Sequence, residues 1–308
     1  MSNPSILPSG SDIFLDHVGL FVPDFDASPD KLRRLGFMLT PFVAHVSAQG
    51  DDAEPAPSGT GNQCAMLREG YLEILGATAD TPLARQLREQ LARYPGVHLV
   101  AFAATEAEQQ RQRLVDRGFE VQPLVHLQRP VRTPQGEQTA RFSVLRLKPG
   151  TMPEGRFQFV THHTPELVWQ PIYQGGHRNG AEALTGVLIC VDDVAEAAER
   201  FGRFTGLSPK TKNELAEIEL PRGRLVFVTP RQLNVLRPNT DIPCMPYIAE
   251  ISLRSRNLEE TKHYLVSESV AYDSVADGEL QIPPEEALGV GILFHHAGAI
   301  PWREAVTA

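Results

Sequence analysis

Short apolar runs alternate with helix-like segments four times along the chain. The runs are LDHVGLFV, GVHLVAFA, LTGVLICV and YIAEISLR. Each has the length of a β-strand, about eight residues, and each is followed by capping residues and then by roughly ten to thirteen residues of helical character. The first three helices are expected to end at Gly36, Gly118 and Gly206, because glycine adopts the left-handed conformation that closes a helix. The pattern predicts four copies of one strand-helix unit.

Further strand-like runs, separated by turn residues, follow each helix, so each copy is expected to be a βαβββ module and the fold class to be α+β. Turn-rich segments separate the copies. We expect an amino-terminal tail over 1–12, a first domain over 13–169, a linker over 170–182 and a second domain over 183–300. The polar stretch 47–61 is expected to be a lid or a disordered loop.

Composition narrows the class of protein. The chain has 308 residues, 42% hydrophobic and 22% charged, which is typical of a globular protein of about two domains. The net charge is −9 and no segment concentrates Lys and Arg, so we expect neither nucleic acid nor a membrane as a partner. Three separated cysteines without CxxC spacing, and no signal-peptide pattern or membrane-span-like apolar stretch, favour a cytoplasmic protein.

Ionisable residues lie inside several of the apolar strands. His17 lies in the first strand, and His98 falls on the same position when the second copy is laid over the first. Glu73 in GYLEILGAT and Gln158 in GRFQFVTHH occupy matching strands, and His162 follows Gln158 with the same parity. A buried carboxylate needs a cation, a metal or a proton. Imidazole and carboxylate together suit Fe, Mn, Ni or Zn, so we predict one divalent metal ion with positions open to a substrate.

Other readings of these residues remain open. A histidine in a strand can be a core residue whose hydrogen bonds are satisfied, and His162 can simply bond to backbone beside the turn at Thr164. His45 is a candidate for contact with the substrate. Arg129 and Arg141 are candidates for binding a substrate carboxylate, or else they are solvated charges at a strand edge.

Several of these strings resemble the vicinal oxygen chelate superfamily, which includes glyoxalase I, extradiol dioxygenases, fosfomycin-resistance proteins and bleomycin-binding proteins. The motifs are LDHVGLFV with its helix and LGF, then GTGNQCAML and YLEILG, then FVTHHTPELVW and HRNGA. The first half looks most like the glyoxalase-like branch. The resemblance covers residues 13 to 181 well, and the remainder by the repeat pattern alone.

The resemblance implies that paired modules form two half-barrel domains, with metal ligands on the first and last strands of each module. Carried over by position, the ligands would be His17, Glu73 and His98, with Gln158 or His162 as the fourth. Gln158 departs from the glutamate that is usual there. In the second half Gly186 stands at the histidine position and Glu250 at the other, so that half is expected to be degenerate and without metal.

The activity that the resemblance implies is that of a metal-dependent lyase or isomerase, which acts on a small molecule with vicinal oxygens through a metal-stabilised enediolate. Glu73 would be a ligand or a general base. One alternative is an Fe(II) extradiol-type dioxygenase, although in two-domain members the iron lies in the carboxy-terminal pair of modules. Another is a protein that binds or sequesters a small molecule without turnover. Either a monomer or a homodimer is expected.

Overall fold

The computed structural model describes residues 6–47, 56–134, 136–212, 214–238, 240–275 and 278–302. The chain forms two eight-stranded sheets, and the first contains all the strands up to residue 162. The strands of this sheet are β1 (Ile13–Phe21), β2 (Val43–Ser47), β3 (Ala56–Met66), β4 (Tyr71–Ala77), β5 (Gly96–Ala104), β6 (Val125–Thr133), β7 (Gly136–Arg146) and β8 (Arg156–His162). Their order across the sheet is β2-β3-β4-β1-β5-β8-β7-β6.

The second sheet repeats the same topology. Its strands are β9 (Ala181–Cys190), β10 (Lys210–Lys212), β11 (Leu215–Glu219), β12 (Arg224–Val228), β13 (Tyr247–Ser255), β14 (Asp273–Ser274), β15 (Leu280–Ile282) and β16 (Gly291–His295). Their order is β10-β11-β12-β9-β13-β16-β15-β14. The helices are α1 (Ser28–Arg34), α2 (Pro82–Leu91), α3 (Ala107–Asp116), α4 (Pro165–Val168), α5 (Val194–Thr205), α6 (Pro230–Leu236) and α7 (Leu258–Ser267). Four βαβββ modules in two paired half-barrels are therefore confirmed.

Three helices end at the glycines that were expected to end them. The chain turns after α1, α3 and α5 at Gly36, Gly118 and Gly206, which have φ angles of 91°, 82° and 81°. A left-handed φ is unfavourable for residues with a Cβ, so glycine permits the chain to leave each helix at once. The loop expected over 47–61 is shorter than predicted, because β3 already begins at Ala56; residues 48–55 of that prediction lie outside the described part.

The central strands β1 and β5 pair antiparallel, and their register sets the internal symmetry of the first sheet. His17 pairs with Ala101, and Gly19 pairs with Leu99. A two-fold axis that relates β1 to β5 passes between these two pairs. It places His17 on the position of Leu99, and Gly19 on the position of Ala101. The outer neighbours agree with this mapping, since β4 and β8 each run parallel to the strand beside them.

Glu73 on β4 pairs with Gly19, and Gln158 on β8 pairs with Ala101, so Glu73 and Gln158 are equivalent as expected. The overlay of His98 on His17 differs from this register by one residue. Because side chains alternate along a strand, a one-residue shift places a side chain on the other face of the sheet. His98 therefore does not occupy the position equivalent to His17.

One continuous apolar core joins the two halves of the molecule. Buried residues of both halves belong to it, among them Leu15 and Phe102 of the first half and Val187 and Phe201 of the second. The segment 170–182 is packed as well, since the buried His177 bonds to the carbonyl of Met66 at 2.8 Å. None of the helices in the described residues is long and apolar enough to cross a membrane.

Candidate functional site

A cavity of about 830 Å³ opens along one face of the first sheet. Side chains from β1 to β8 line it, and α2 closes one end with Leu83 and Leu87. Such a volume is within the usual range of small-molecule sites. Six of the residues singled out from the sequence line this cavity: His17, His45, Glu73, Arg129, Gln158 and His162.

His17 is held in one orientation by the residue before it. Asp16 is fully buried, and its Oδ1 lies 2.6 Å from Nδ1 of His17. An ionised carboxylate only accepts hydrogen bonds, so we assign the proton of His17 to Nδ1. The lone pair of Nε2 is thereby directed into the cavity, where Nε2 lies 3.9 Å from Oε2 of Glu73. The ring also stacks on Tyr71, with 4.3 Å between centroids.

The same carboxylate joins His17 to His162. Nε2 of His162 donates to Oδ2 of Asp16 at 3.1 Å, although the two residues are 146 positions apart in the chain. Burial acts to raise the pKa of Asp16, but His162 and His17 outweigh it and hold the pKa well below the usual range. Asp16 is thus an ionised anchor beneath the cavity floor. His162 packs edge-on against Trp169, 4.8 Å away.

Glu73 is fixed by an amide on the neighbouring strand. Nδ2 of Asn62 donates to Oε1 of Glu73 at 2.5 Å, which leaves Oε2 turned toward His17. His45 lies on the adjoining wall, where its Nδ1 is 3.1 Å from Oγ1 of Thr60. Burial lowers the pKa of His45, and the nearby charge of Glu73 opposes that effect. His45 is therefore a neutral ring at neutral pH.

The structure places His98 and Arg141 away from the cavity. His98 is fully buried, and its Nε2 lies 2.7 Å from the carbonyl of Tyr94, whose ring is 4.1 Å from the imidazole. Burial lowers the pKa of His98 to about 4. Arg141 is exposed on the other face of β7, while Arg146 of the same strand lines the cavity.

Donor atoms for a divalent ion come from three of the four equivalent strand positions. His17 offers Nε2, Glu73 offers Oε2, and the buried Oε1 of Gln158 has no hydrogen-bond partner in the described part of the chain. Leu99 occupies the fourth position. Within the described ranges no three His, Cys, Asp or Glu side chains converge as a metal site. One imidazole, one carboxylate and one amide fit a weakly held ion with open positions, not a closed tetrahedral site.

The equivalent place in the second half is filled by the protein itself. Gly186 stands where the first half has His17, and a Cβ there would lie 2.7 Å from the ring of Trp302. The indole Nε1 of Trp302 donates to Oε1 of Glu250 at 2.6 Å, and Arg237 pairs with both oxygens of Glu250. Glu250 is thus neutralised by a guanidinium.

Three residues were missed in the sequence: Asp16, which is buried beside His17, and Arg146 and Arg156, which line the cavity. Asp16 precedes His17 in the same apolar run, and an acidic residue in such a run is itself a signal of a buried, partnered charge. Arg146 shares strand parity with Val144, and Arg156 shares it with Gln158. Parity along β7 and β8 would therefore have directed both arginines to the cavity side.

Comparison with known proteins supports the fold. A family model described as a glyoxalase-like domain matches residues 15–205, more than half of the chain. No curated protein matches the sequence. A hypothetical protein from Staphylococcus aureus is similar in structure, with a TM-score of 0.61 and 10% identity over 92% of this chain and 99% of that one.

Two further solved structures have the same fold. A triple mutant of 4-hydroxymandelate synthase from Streptomyces coelicolor has a TM-score of 0.55 and 16% identity over 94% of each chain. A fusion of a xylose isomerase-like TIM barrel with a 4-hydroxyphenylpyruvate dioxygenase has a TM-score of 0.56 and 12% identity; it covers 98% of this chain, which spans 52% of the fusion. By its sequence match and its paired βαβββ modules, the chain belongs to the glyoxalase-like domain family, within the vicinal oxygen chelate superfamily.

Proposed function

We propose that the chain is a metal-dependent lyase or isomerase that acts on a small molecule with neighbouring oxygens in the cavity of the first sheet. The observation that carries this proposal is the facing pair of His17 Nε2 and Glu73 Oε2, 3.9 Å apart on the cavity wall. His17, Glu73 and Gln158 would hold the ion. When bound, a divalent ion supplies Lewis-acid stabilisation of negative charge that develops on substrate oxygens.

Asp16 would keep His17 in the tautomer that the site needs. Its hydrogen bond fixes the proton on Nδ1, so Nε2 presents a lone pair to the cavity. A carboxylate behind a liganding histidine also fixes the ring orientation and raises its basicity. The bond from His162 to the second oxygen of Asp16 prevents the carboxylate from rotating away.

When displaced from the ion, Glu73 would act as the base that removes a proton next to a substrate carbonyl. Asn62 holds Oε1 of Glu73, so the proton would move to Oε2, the oxygen that faces the cavity. Glu73 is only 9% exposed, so little bulk water competes for this oxygen. Phe21 and Leu75 line the cavity on the same two strands and help to keep that end apolar.

An Fe(II) dioxygenase is the second candidate. One of the three structural neighbours is a fusion that contains a 4-hydroxyphenylpyruvate dioxygenase, although at 12% identity it supports the fold alone. In this chain any ring-cleaving chemistry would have to use the first half, because Trp302 fills the equivalent place beside Gly186. A third candidate is a cytoplasmic binding protein that uses the same cavity without turnover.

Metal binding provides the first test of the proposal. We expect untagged protein to titrate with close to one equivalent of Mn(II), Fe(II), Ni(II) or Zn(II) in calorimetry. His17→Ala removes a donor and is expected to weaken binding by a factor of about 10 to 100 or more. His126→Ala is the matched control, because His126 is an exposed residue on the outer face of β6. Equal affinity in the His17→Ala variant and the wild type would overturn the proposed site.

The loaded protein then separates the three candidates. A lyase or isomerase should exchange the proton on the hydroxyl-bearing carbon of a 2-hydroxyketone with deuterium from solvent, and Glu73→Gln should abolish this exchange. A dioxygenase should consume oxygen with catechols when loaded with Fe(II). A binder should do neither, while it retains ligand affinity in both variants.

A further inference from the structure

Two arginines flank Gln158 on the cavity side of the sheet. Arg146 on β7 pairs directly with Gln158 in the β7–β8 ladder. Arg156 lies two residues before Gln158 on β8, and so it faces the same side. Both side chains line the cavity. The two arginines are therefore the neighbours, in the sheet, of the residue whose amide is proposed to hold the ion.

Neither arginine has an acidic partner of its own in the described residues. The buried Nε of Arg146 has no hydrogen-bond partner there, and neither side chain forms an ion pair within 4.0 Å of a carboxylate. The same pattern holds for Arg129 at the far end of the cavity, whose Nε is also buried without a partner. Desolvated charges without partners are costly, so arginines placed in this way favour an anionic ligand.

An arginine keeps its charge at neutral pH even when it is buried. Arg146 and Arg156 therefore place two positive charges on the same wall of the cavity.

The rest of this end of the cavity is apolar. Arg156 pairs with Leu99 across β5 and β8, and Leu99 packs in a cluster with Phe21, Leu87 and Val160. A bare inorganic anion would leave these side chains exposed to water. The cavity volume of about 830 Å³ also exceeds what a small ion fills.

We propose that the cavity selects an organic anion with an apolar body, whose carboxylate or phosphate group binds between Arg146 and Arg156. This inference rests on the proposed function only in placing the substrate in this cavity; it does not require the metal. Bidentate, charge-assisted hydrogen bonds from two planar guanidinium groups would fix the anionic end. The apolar body would then lie against the cluster that contains Leu99 and Phe21.

The experiment uses the full-length, metal-free protein and four probes: octanoate, octyl phosphate, 1-octanol and inorganic phosphate. Calorimetry and the shift in melting temperature report binding. We expect octanoate or octyl phosphate to bind at least about tenfold more tightly than 1-octanol, because each adds charge-assisted hydrogen bonds to the same chain. Inorganic phosphate is expected to bind more weakly than either. The better of the two charged probes identifies the anionic group.

Variants locate the binding group. Arg146→Met and Arg156→Met should each weaken the better charged probe by about tenfold and leave 1-octanol unchanged. Arg141→Met is the matched control, since Arg141 is an exposed arginine on the outer face of the same strand. Arg146→Lys keeps the charge and guards against misfolding of the methionine variant; it should retain part of the affinity.

The proposal is overturned if 1-octanol binds as tightly as the charged probes to the wild type, which requires no variant. It is also overturned if Arg141→Met has the same effect as Arg146→Met. If octanoate binds as expected but His17→Ala binds metal as tightly as the wild type, only the proposed metal-dependent function is refuted.

Discussion

The replacement of His98 by glutamine should change how the stability of the protein depends on pH. His98 is fully buried on the side of β5 away from the cavity, and burial lowers its pKa to about 4. In the unfolded chain a histidine titrates near 6.5. Between these two values the unfolded state binds the proton more readily, so the folded state loses stability as the pH falls.

The magnitude follows from the difference between the two pKa values. Each pKa unit corresponds to about 1.36 kcal/mol, so a fall from 6.5 to about 4 is a loss of about 3 kcal/mol of unfolding free energy on complete acidification. The stability is fully present above pH 6.5 and is lost down to about pH 4. The slope that His98 contributes reaches about 1.4 kcal/mol for each pH unit within that window.

Urea denaturation at a series of pH values from 7 to 4 measures this slope. Glutamine keeps a donor for the carbonyl of Tyr94 but does not titrate. His98→Gln should therefore reduce the slope of the unfolding free energy against pH by the contribution of up to one proton. His126→Gln replaces an exposed histidine and is the matched control. Burial also lowers the pKa of His295 to about 4, so every variant should retain part of the dependence of stability on pH. Identical slopes for His98→Gln and wild type would refute the reasoning.

Three other changes test separate parts of the structure. Leu99→His supplies the donor that the fourth equivalent strand position lacks, and should tighten Zn(II) binding by about tenfold or more in calorimetry. Unchanged affinity would contradict the equivalence of Leu99 and His17. Asp16→Asn leaves one acceptor for two imidazoles, so urea denaturation should report a loss of about 1–3 kcal/mol, and metal affinity should fall; a variant as stable as the wild type would argue against the buried anchor. Trp302→Ala empties the space beside Gly186 and should lower the free energy of unfolding in urea by about 3–5 kcal/mol. A loss below about 1 kcal/mol would mean that the indole is not needed for stability.

The strand-helix repeat could be predicted because each copy carries its own local signals. Apolar strands, capping residues and a glycine after the helix are all contiguous in the chain, and Gly206 ends α5 as its sequence indicates. The side on which a strand residue points was harder to predict. Every residue of β5 is buried, so its sequence has no alternation of polar and apolar positions that would separate His98 from Leu99. A β-bulge after Gly19 shifts the register further.

The chemistry of the cavity was predictable only in part, for a related reason. His17 and Glu73 are conspicuous because each is a charged or ionisable group inside an apolar run. Arg146 and Arg156 lie at strand ends, where arginine usually extends into solvent, and only their pairing across the sheet brings them together. Contacts between distant strands are fixed by tertiary packing, which no local pattern contains.

The turn before β12 supports β1 just before His17. Leu15 donates its backbone N–H to the carbonyl of Arg222 at 2.8 Å, and a Cβ on Gly223 would lie 2.5 Å from Cβ of Leu15. A bulkier residue at Gly223 would press on the strand that carries Asp16 and His17. The second half therefore helps to hold β1 in place, so a substitution in a turn that does not line the cavity would shift His17.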